Sequence, residues 1–469
     1  MSSIGAIIVG GGISGLSAAY YLAKAGCPAV LIERRPRLGG VIQTEHVDGC
    51  VLEAGPDSYL AVKPGATELI RELGLGDQII GSNDQLRVTY IWRTGRLIPL
   101  PDGLMMIAPT KIGPVVRTPL FSWPAKIRMG LEYFRRPQGA VRDRSVAEFI
   151  ASHFGRESLD YLAEPLLSGV YGGDPGRLSA LSVLPRFVEL EAKYGSLTRG
   201  IWKERAAAAR NSQPAAPPGA LFCTLRNGLG TLIAELERRI APATTVIRGT
   251  AEALQRARAG YRVRTNGEWL ECENVVLACP AYESAALVRG VDGELAALLD
   301  QIEYSSSVTL SLVYEKAALP GALYGFGFLV PKRERRRLAA CTWVHNKFSH
   351  RAPDNLAVLR CFFGGASDET ILEESDESLI AIAREELARM LGLTAEPRFA
   401  KIARWPRSMA QYTVGHQERL KRIEARLKQT PGLRLAGNGY YGIGIPDCVK
   451  TGRDAAQEII ASGGRTGAV

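Results

Sequence analysis

Glycines at positions 10, 11, 12 and 15 stand between an apolar run, Ala6–Val9, and a helix-forming stretch, Ser14–Ala25. A Gly-x-Gly-x-x-Gly turn between strand and helix suits one chemistry, the grip on a dinucleotide diphosphate. Gly10 makes the tight turn, Gly12 lets backbone approach the pyrophosphate, and Gly15 lets the helix pack closely on the strand. Gly11, Ile13 and Ser14 complete a loop whose N–H groups lie at the positive end of a helix dipole. A second apolar run, Ala29–Ile32, ends in Glu33, close to the offset at which an acid accepts both ribose hydroxyls. Arg34 follows, and Gly39-Gly40-Val41 then adds another pair of glycines for close approach beside the diphosphate. Such a turn also occurs where it serves packing alone. The second strand with its terminal acid is what favours a nucleotide here.

The far end of the chain chooses the dinucleotide. Leu433–Ala436 reads as a short apolar strand running into Gly437, and Asn438-Gly-Tyr-Tyr-Gly-Ile443-Gly444-Ile445 leads into a helix begun by Pro446 and Asp447. Proline and an acid in a first turn are helix-start signals. A second glycine loop feeding a helix N-terminus makes sense for an elongated cofactor supported at both ends, and its partial positive charge suits an anionic reduced isoalloxazine. Together with Gly39-Gly40, this loop favours FAD over NAD.

The elements that must position these residues alternate strand and helix near the N-terminus, the pattern of an α/β fold with a Rossmann-like sheet. From Leu97 to Phe134 the chain is rich in Pro, Leu, Met, Ile and aromatics, with Lys111, Arg117, Lys126 and Arg128 interleaved. Two readings stand for it: an interfacial segment that dips into anionic headgroups, or a helical core whose cations face solvent. Helices are predicted over Ser145–His153 and Pro185–Ala209, followed by a Pro/Ala/Gly linker at 213–219. Beyond it the spacing predicts a helix over Gly228–Ile240, then strands at Thr245–Ile247, Tyr261–Thr265, Asn274–Ala278, Ser307–Tyr314, Gly325–Val330 and Ala357–Phe363, and a helix over Ser375–Leu391. The expected organisation is discontinuous: an FAD-binding domain from 1–85, 214–280 and 400–469, an inserted mixed α+β substrate domain from 86–100 and 281–399, and a helical domain at 101–213, to which the membrane reading attaches.

A chain of 469 residues, 46% hydrophobic and 23% charged, is globular in composition and long enough for two or three domains. Its net charge of +10 suggests an acidic partner, but no aromatic-interleaved basic stripe of the nucleic-acid kind occurs. The densest basic run, Lys332–Arg337, reads as a solvated face. The eight cysteines form no CxxC pair, and the five histidines show no ligand spacing, so reduced thiols and no metal are expected. Residues 1 to 23 carry no charge, yet a signal peptide wants a basic start and no periodic glycines, so a cytoplasmic protein is expected.

GGGISG, ERRPRLGG, Gly55-Pro56-Asp57-Ser58, YIWRTGRL at 90–97, FGFLVP at 326–331, QYTVGH at 411–416 and the ending LAGNGYYGIGIPDCVKTGRDAA together resemble the protoporphyrinogen oxidase family. The likeness spans nearly the whole chain and is closest to the bacterial members, whose relatives act on protoporphyrinogen IX or coproporphyrinogen III. It implies FAD, a porphyrinogen substrate in haem biosynthesis, and aromatisation by three hydride transfers with dioxygen as acceptor, giving hydrogen peroxide. It implies no conventional acid or base, and none is named. By the same resemblance Gly55, Pro56, Asp57, Ser58, Ala251 and Trp405 join the cofactor residues. Arg87, or Arg93 if the alignment shifts, pairs with a propionate, Gly169 faces the pyrroles, and Phe326, Leu329 and Phe363 flank the ring. Asp57-Ser58 departs from the arginine of the animal enzyme, which leaves the choice of porphyrinogen open. A peripheral membrane contact and a homodimer stand as open partners. A flavin amine oxidase, a carotenoid-desaturase-like enzyme and a flavin-binding redox sensor are the competing classes.

Overall fold

In a computed structural model of the chain, the Gly10–Gly15 turn joins the strand Ile4–Val9 to the helix Ile13–Lys24. The structure describes residues 4–137, 139, 142–210 and 220–463, so the linker at 213–219 lies outside the described residues. Two compact units form, one from Met1–Ser82, Ala220–Glu303 and Glu418–Val469, the other from Asn83–Gly219 and Tyr304–Gln417.

The first unit is built on a sheet in which Thr244–Arg248, Ala29–Glu33, Ile4–Val9, Glu268–Leu277 and Leu433–Leu435 lie parallel in that order. At the centre of the sheet Ala6–Val9, Ala29–Glu33 and Val275–Leu277 are short runs buried on both faces, as a parallel sheet covered by helices requires. Val9 pairs with Ile32 and with Leu277, and Leu277 pairs with Leu435. The carboxyl ends of four strands therefore share one edge, and the first and last glycine loops leave it with a single strand between them. Two antiparallel strands, Ala251–Ala257 and Gly260–Thr265, extend the sheet through Glu268–Leu277.

The second unit carries a seven-stranded sheet in the order Phe399–Gln411, Glu303–Glu315, Leu356–Gly364, Ala340–Trp343, Gly327–Leu329, Thr89–Arg93, Arg96–Pro99. One face packs on the helix Asp376–Leu391: Val308, Phe328, Cys341, Cys361 and Phe363 form a core with Leu379, Ala383 and Leu387. Ser375 caps this helix by accepting from Ser378 N–H, which starts it one residue inside the predicted range. The predicted helix over Pro185–Ala209 is two, Pro185–Tyr194 and Leu197–Arg210, because Gly195 turns the chain with φ 77°.

Three expectations are corrected. First, the helical stretch after residue 100 belongs to the same unit as the second sheet. The sheet residue Arg93 pairs with Glu157 at 2.8 Å and donates to Leu120 O, while Leu178 bridges to Thr413. Phe399–Gln411 is likewise a strand of that sheet and not of the first, whereas the helices Ala281–Val288 and Gly293–Asp300 belong to the first unit, where Asp292 holds Arg426 at 2.8 Å.

Second, the basic run is a solvated face only in part: Lys332, Arg333 and Arg336 keep 56–61% of their side chains exposed, but the run is also tied down. Arg333 meets Asp160 at 3.2 Å and Arg337 meets Asp368 at 2.8 Å, while Arg335, with 7% of its side chain exposed, pairs with Glu164 at 3.2 Å. The run staples a turn of the sheet onto the π-helical turn Leu159–Ala163 and the helix Glu164–Tyr171.

Third, the helical-core reading holds only in part for Trp123–Leu131, which buries Ala125 and Met129 but turns its other large apolar side chains outward. Trp123, Ile127, Leu131 and Phe134, spaced as one helical face, are 61–71% exposed, while Ala125 and Met129 face inward. Among the described residues no helix is long and apolar enough to cross a membrane.

Candidate functional site

The edge of the first sheet is where an elongated dinucleotide belongs, because strand order reverses at Ile4–Val9 and the loops on either side leave a crevice. Gly10 adopts φ 106°, and a Cβ there would fall 2.9 Å from Ala278 backbone. A Cβ on Gly15 would stand 1.9 Å from Gly10 O, so the turn closes only with glycine at 15. Gly12 is different, since nothing lies within 4 Å of where its Cβ would be. The space beside Gly12 is what a diphosphate approaching backbone needs. Glu33, buried, is fixed at both oxygens: Gly11 N–H donates to Oε2 at 2.6 Å and Arg35 N–H to Oε1 at 2.8 Å. Each oxygen keeps a lone pair for a ribose hydroxyl.

The Gly39-Gly40-Val41 loop is tied into the same place. Gly39 N–H donates to Gly11 O at 2.8 Å, and a Cβ on Gly40 would come within 3.1 Å of Gly12 Cα. Arg37, not singled out from sequence, holds this loop in shape: its guanidinium donates to the carbonyls of Ile42 at 3.0 Å and Gly40 at 2.7 Å. Burial, then the neighbouring Arg35, lowers the pKa of Arg37 from its ordinary value. Gly55-Pro56-Asp57-Ser58 lies against the same loop, since a Cβ on Gly55 would meet Val41 O at 1.9 Å, and Ser58 hydroxyl donates to Asp57 at 2.6 Å. Arg34 instead pairs with Glu283 at 2.7 Å.

At the other end, Gly437 N–H donates to Thr451 Oγ1 at 3.1 Å and no atom crowds the Cβ position of Gly437. The helix Ile445–Gly463 lies against Ile13–Lys24 so closely that a Cβ on Gly452 would stand 2.1 Å from Ser14 O. Asn438, Ile443, Gly444 and Ile445 therefore occupy the second glycine loop of the unit that holds the first. Ala251 begins a strand of this unit, opposite Thr265. Trp405 stands apart: it lies in the second unit, and its indole N–H donates to Thr309 Oγ1 at 3.3 Å.

In the second unit the helix Glu164–Tyr171 lies over the sheet face opposite the core, where a Cβ on Gly169 would be 3.5 Å from Leu329 Cδ2. Register places Leu329, Ala340, Phe362 and Thr309 side by side on that face. Phe363 points the other way, into the core with Val308 and Ile371. Leu329 and Phe363 cannot flank one ring, because strand side chains alternate faces. The aromatic on the same face as Leu329, two strands away across Ala340, is Phe362, which the period of two would have separated from Phe363 had the register been known. Phe326 is buried at the entry to Gly327–Leu329. Of the two arginines, Arg93 is occupied by Glu157 and by the Tyr161 ring, 4.1 Å away. Arg87 is half exposed, and among the described residues its one ion pair is a loose 3.4 Å contact with Asp84. Among the described residues no group of three or more His, Cys, Asp or Glu could hold a metal ion.

Fold and site define a two-unit α/β protein whose glycine edge fits an extended dinucleotide. The pattern of the flavin-containing amine oxidoreductases matches residues 13–460. Proteins named coproporphyrinogen III oxidase are similar in sequence: that of Bacillus subtilis (strain 168) is 35% identical over 97% of this chain and 97% of its own, and that of Staphylococcus aureus (strain NCTC 8325 / PS 47) is 32% identical over 97% and 98%. A solved structure from Exiguobacterium sp. 255-15, described as a protoporphyrinogen oxidase, superposes with a TM-score of 0.86 at 33% identity, covering 98% of this chain and all of that one. The chain belongs to the flavin-containing amine oxidoreductase family, and its cofactor is FAD.

Proposed function

We propose that the chain is an oxidase of a porphyrinogen in haem biosynthesis, removing three hydrides in turn, each with loss of one proton from the substrate, and passing the electron pairs to three molecules of dioxygen to give three of hydrogen peroxide. The observation that carries this reading is the near-full-length identity of 35% with a protein named coproporphyrinogen III oxidase, and that name favours the substrate with propionates on all four pyrroles. FAD supplies the hydride acceptor when bound. Gly10–Gly15 and Gly39-Gly40 hold its diphosphate, Glu33 its ribose and Gly437–Ile445 its ring end, and Ala251 lines it. For the substrate, Gly169, Phe326 and Leu329 bound an apolar slot, with Phe362 taking the place read for Phe363, and Arg87 donates a bidentate fork to a propionate.

No side chain is assigned as acid or base. The meso carbon is flanked by electron-rich pyrroles that stabilise the cation left by hydride loss, and imine–enamine tautomerisation returns hydrogens to it. The work left to the protein is orientation and exclusion of water. Anaerobic rapid mixing of the yellow holoenzyme with coproporphyrinogen III, protoporphyrinogen IX and a primary amine tests the reading. Flavin bleaching by a porphyrinogen is expected, and bleaching by the amine alone would sink it. Arg87→Ala is expected to raise KM about tenfold, the worth of a charge-assisted hydrogen bond, with kcat within about twofold. An unchanged KM removes its substrate role.

The outward stripe Trp123, Ile127, Leu131 and Phe134 favours a second element of the reading, peripheral contact with an anionic bilayer. A cation lies beside it: Lys126 Nζ is 4.6 Å over the Trp123 ring. The holoenzyme should float with vesicles containing anionic lipid and lose most of that binding as Ile127→Asp. Equal recovery of both proteins would show that the stripe faces water.

A further inference from the structure

Two helix N-termini meet in the first unit. Gly65 lies in the first turn of the helix Pro64–Glu72, and a Cβ there would stand 2.8 Å from Pro446 O, in the first turn of Ile445–Gly463. The contact exists only because residue 65 is glycine. Lys63 precedes the first helix as its N-cap, with Pro64 fixing the entry angle. The close approach sets Lys63 Nζ 2.9 and 2.7 Å from the two carboxylate oxygens of Asp447, across 384 positions of sequence. The second glycine loop wraps the same carboxylate: a Cβ on Gly442 would fall 2.4 Å from Asp447 Cγ, and one on Gly444 3.2 Å from Oδ2. Asp447 is thus enclosed by the loop read as the ring end of the FAD site, with 17% of its side chain exposed.

The charges at this spot decide its sign. Each helix N-terminus carries roughly half a positive elementary charge, so the two together offer about one. The ionised Asp447 alone would cancel it, and a field that helps an anionic reduced flavin would vanish. Lys63, bonded to both oxygens, restores the positive sum. We propose that Lys63 is a positioning residue for flavin electrostatics: acting through Asp447, it keeps the ring end of the site positive and so raises the flavin's midpoint potential. The proposal rests on the FAD assignment and not on the identity of the substrate.

The test uses holoenzyme and two readouts that need no porphyrinogen: the dissociation constant for sulfite, whose adduct carries extra negative charge on the flavin, and the midpoint potential. Lys63→Met should weaken sulfite binding about tenfold, the order expected of one uncompensated charge in a partly screened site, and should lower the potential. Asp447→Asn should tighten sulfite binding and raise the potential. The double variant should return to within about threefold of the parent, and Lys63→Arg should match it. The proposal is overturned if Lys63→Met leaves the sulfite constant within about twofold, or if Asp447→Asn shifts it in the same direction as Lys63→Met. Should Lys63→Met retain no flavin, Asp447→Asn decides alone: tighter sulfite binding supports the proposal, and unchanged or weaker binding overturns it. A parent enzyme that binds FAD and sulfite but oxidises no porphyrinogen would sink the functional reading and leave this one standing.

Discussion

Gly15→Ala is expected to yield a colourless protein. The added methyl would stand 1.9 Å from Gly10 O and 3.3 Å from Ala278 Cβ, and the nearer obstacle is backbone that cannot rotate away. Either the helix Ile13–Lys24 retreats from the strand end or the Gly10 turn opens, and both move the N–H groups proposed to hold the diphosphate. Overpacking of this kind costs about 3 kcal/mol, close to a hundredfold in FAD affinity if all of it falls on the bound state. The informative comparison is Gly12→Ala. Its φ of −70° suits alanine and no atom lies within 4 Å of the new methyl, so the protein should fold with unchanged thermal stability and still bind FAD weakly. Equilibrium dialysis of FAD alongside a thermal melt separates the two. Full flavin content in Gly15→Ala would refute the packing argument, and full content in Gly12→Ala would refute the placement of the diphosphate.

The second large effect is expected at Glu132, a residue with no role in the cofactor or substrate reading. Its buried carboxylate accepts from His153 Nδ1 at 2.9 Å, Ser196 hydroxyl at 2.9 Å, Leu197 N–H at 2.6 Å and Thr198 N–H at 3.2 Å. It therefore ends the Trp123–Leu131 segment, caps the Leu197–Arg210 helix and seats His153, whose other nitrogen lies 3.0 Å from Glu191 Oε1. Burial alone would push Glu132 up, but the hydrogen bonds from His153, Thr198 and Leu197 hold it below the usual carboxylate value. Glu191 is treated the same way by His153 and Arg144, which overcome burial and bring it down to about 2.

Glu132→Leu strands four donors at once and should cost about 4 kcal/mol. A chemical melt should show the loss as a lower midpoint with an unchanged slope. The pH dependence has a definite sign. Both carboxylates titrate lower folded than unfolded, so their contribution is complete above the unfolded carboxylate pKa of about 4.3 and is lost as pH falls toward about 2. The parent should weaken across that window, and Glu132→Leu should weaken less steeply. A variant whose midpoint follows the parent's at every pH would show that the cluster adds no stability.

Much of the first unit could be read directly. The turn at Gly10–Gly15, Glu33 at the end of the second strand and the late glycine loop are local patterns, and each sits where its spacing implied. The second unit was less legible. Phe363 looked like a ring contact because apolar strand residues on both faces of a covered sheet read alike, and only the register with Val308 and Leu329's neighbours sorts them. The basic run at 332–337 looked solvated because its acids, Asp160, Glu164, Asp368 and Glu374, come from other elements. The residue-100 boundary failed for the same reason, since Arg93, Tyr161 and the staple turn knit the helical stretch to the sheet.

By itself the sequence determined the dinucleotide turn, the preference for an extended flavin, and the resemblance that points to porphyrinogens. Those rest on residue types at short, fixed spacings, where backbone sterics and helix dipoles act within a few positions. Tertiary structure alone decided which strand side chains share the face opposite the core, that Arg93 pairs with Glu157 while Arg87 meets Asp84 only loosely, and that Lys63 answers Asp447. These are questions of which distant segments touch. The pairing of charges and the sharing of a sheet face depend on chain closure over tens to hundreds of residues, which no local pattern encodes.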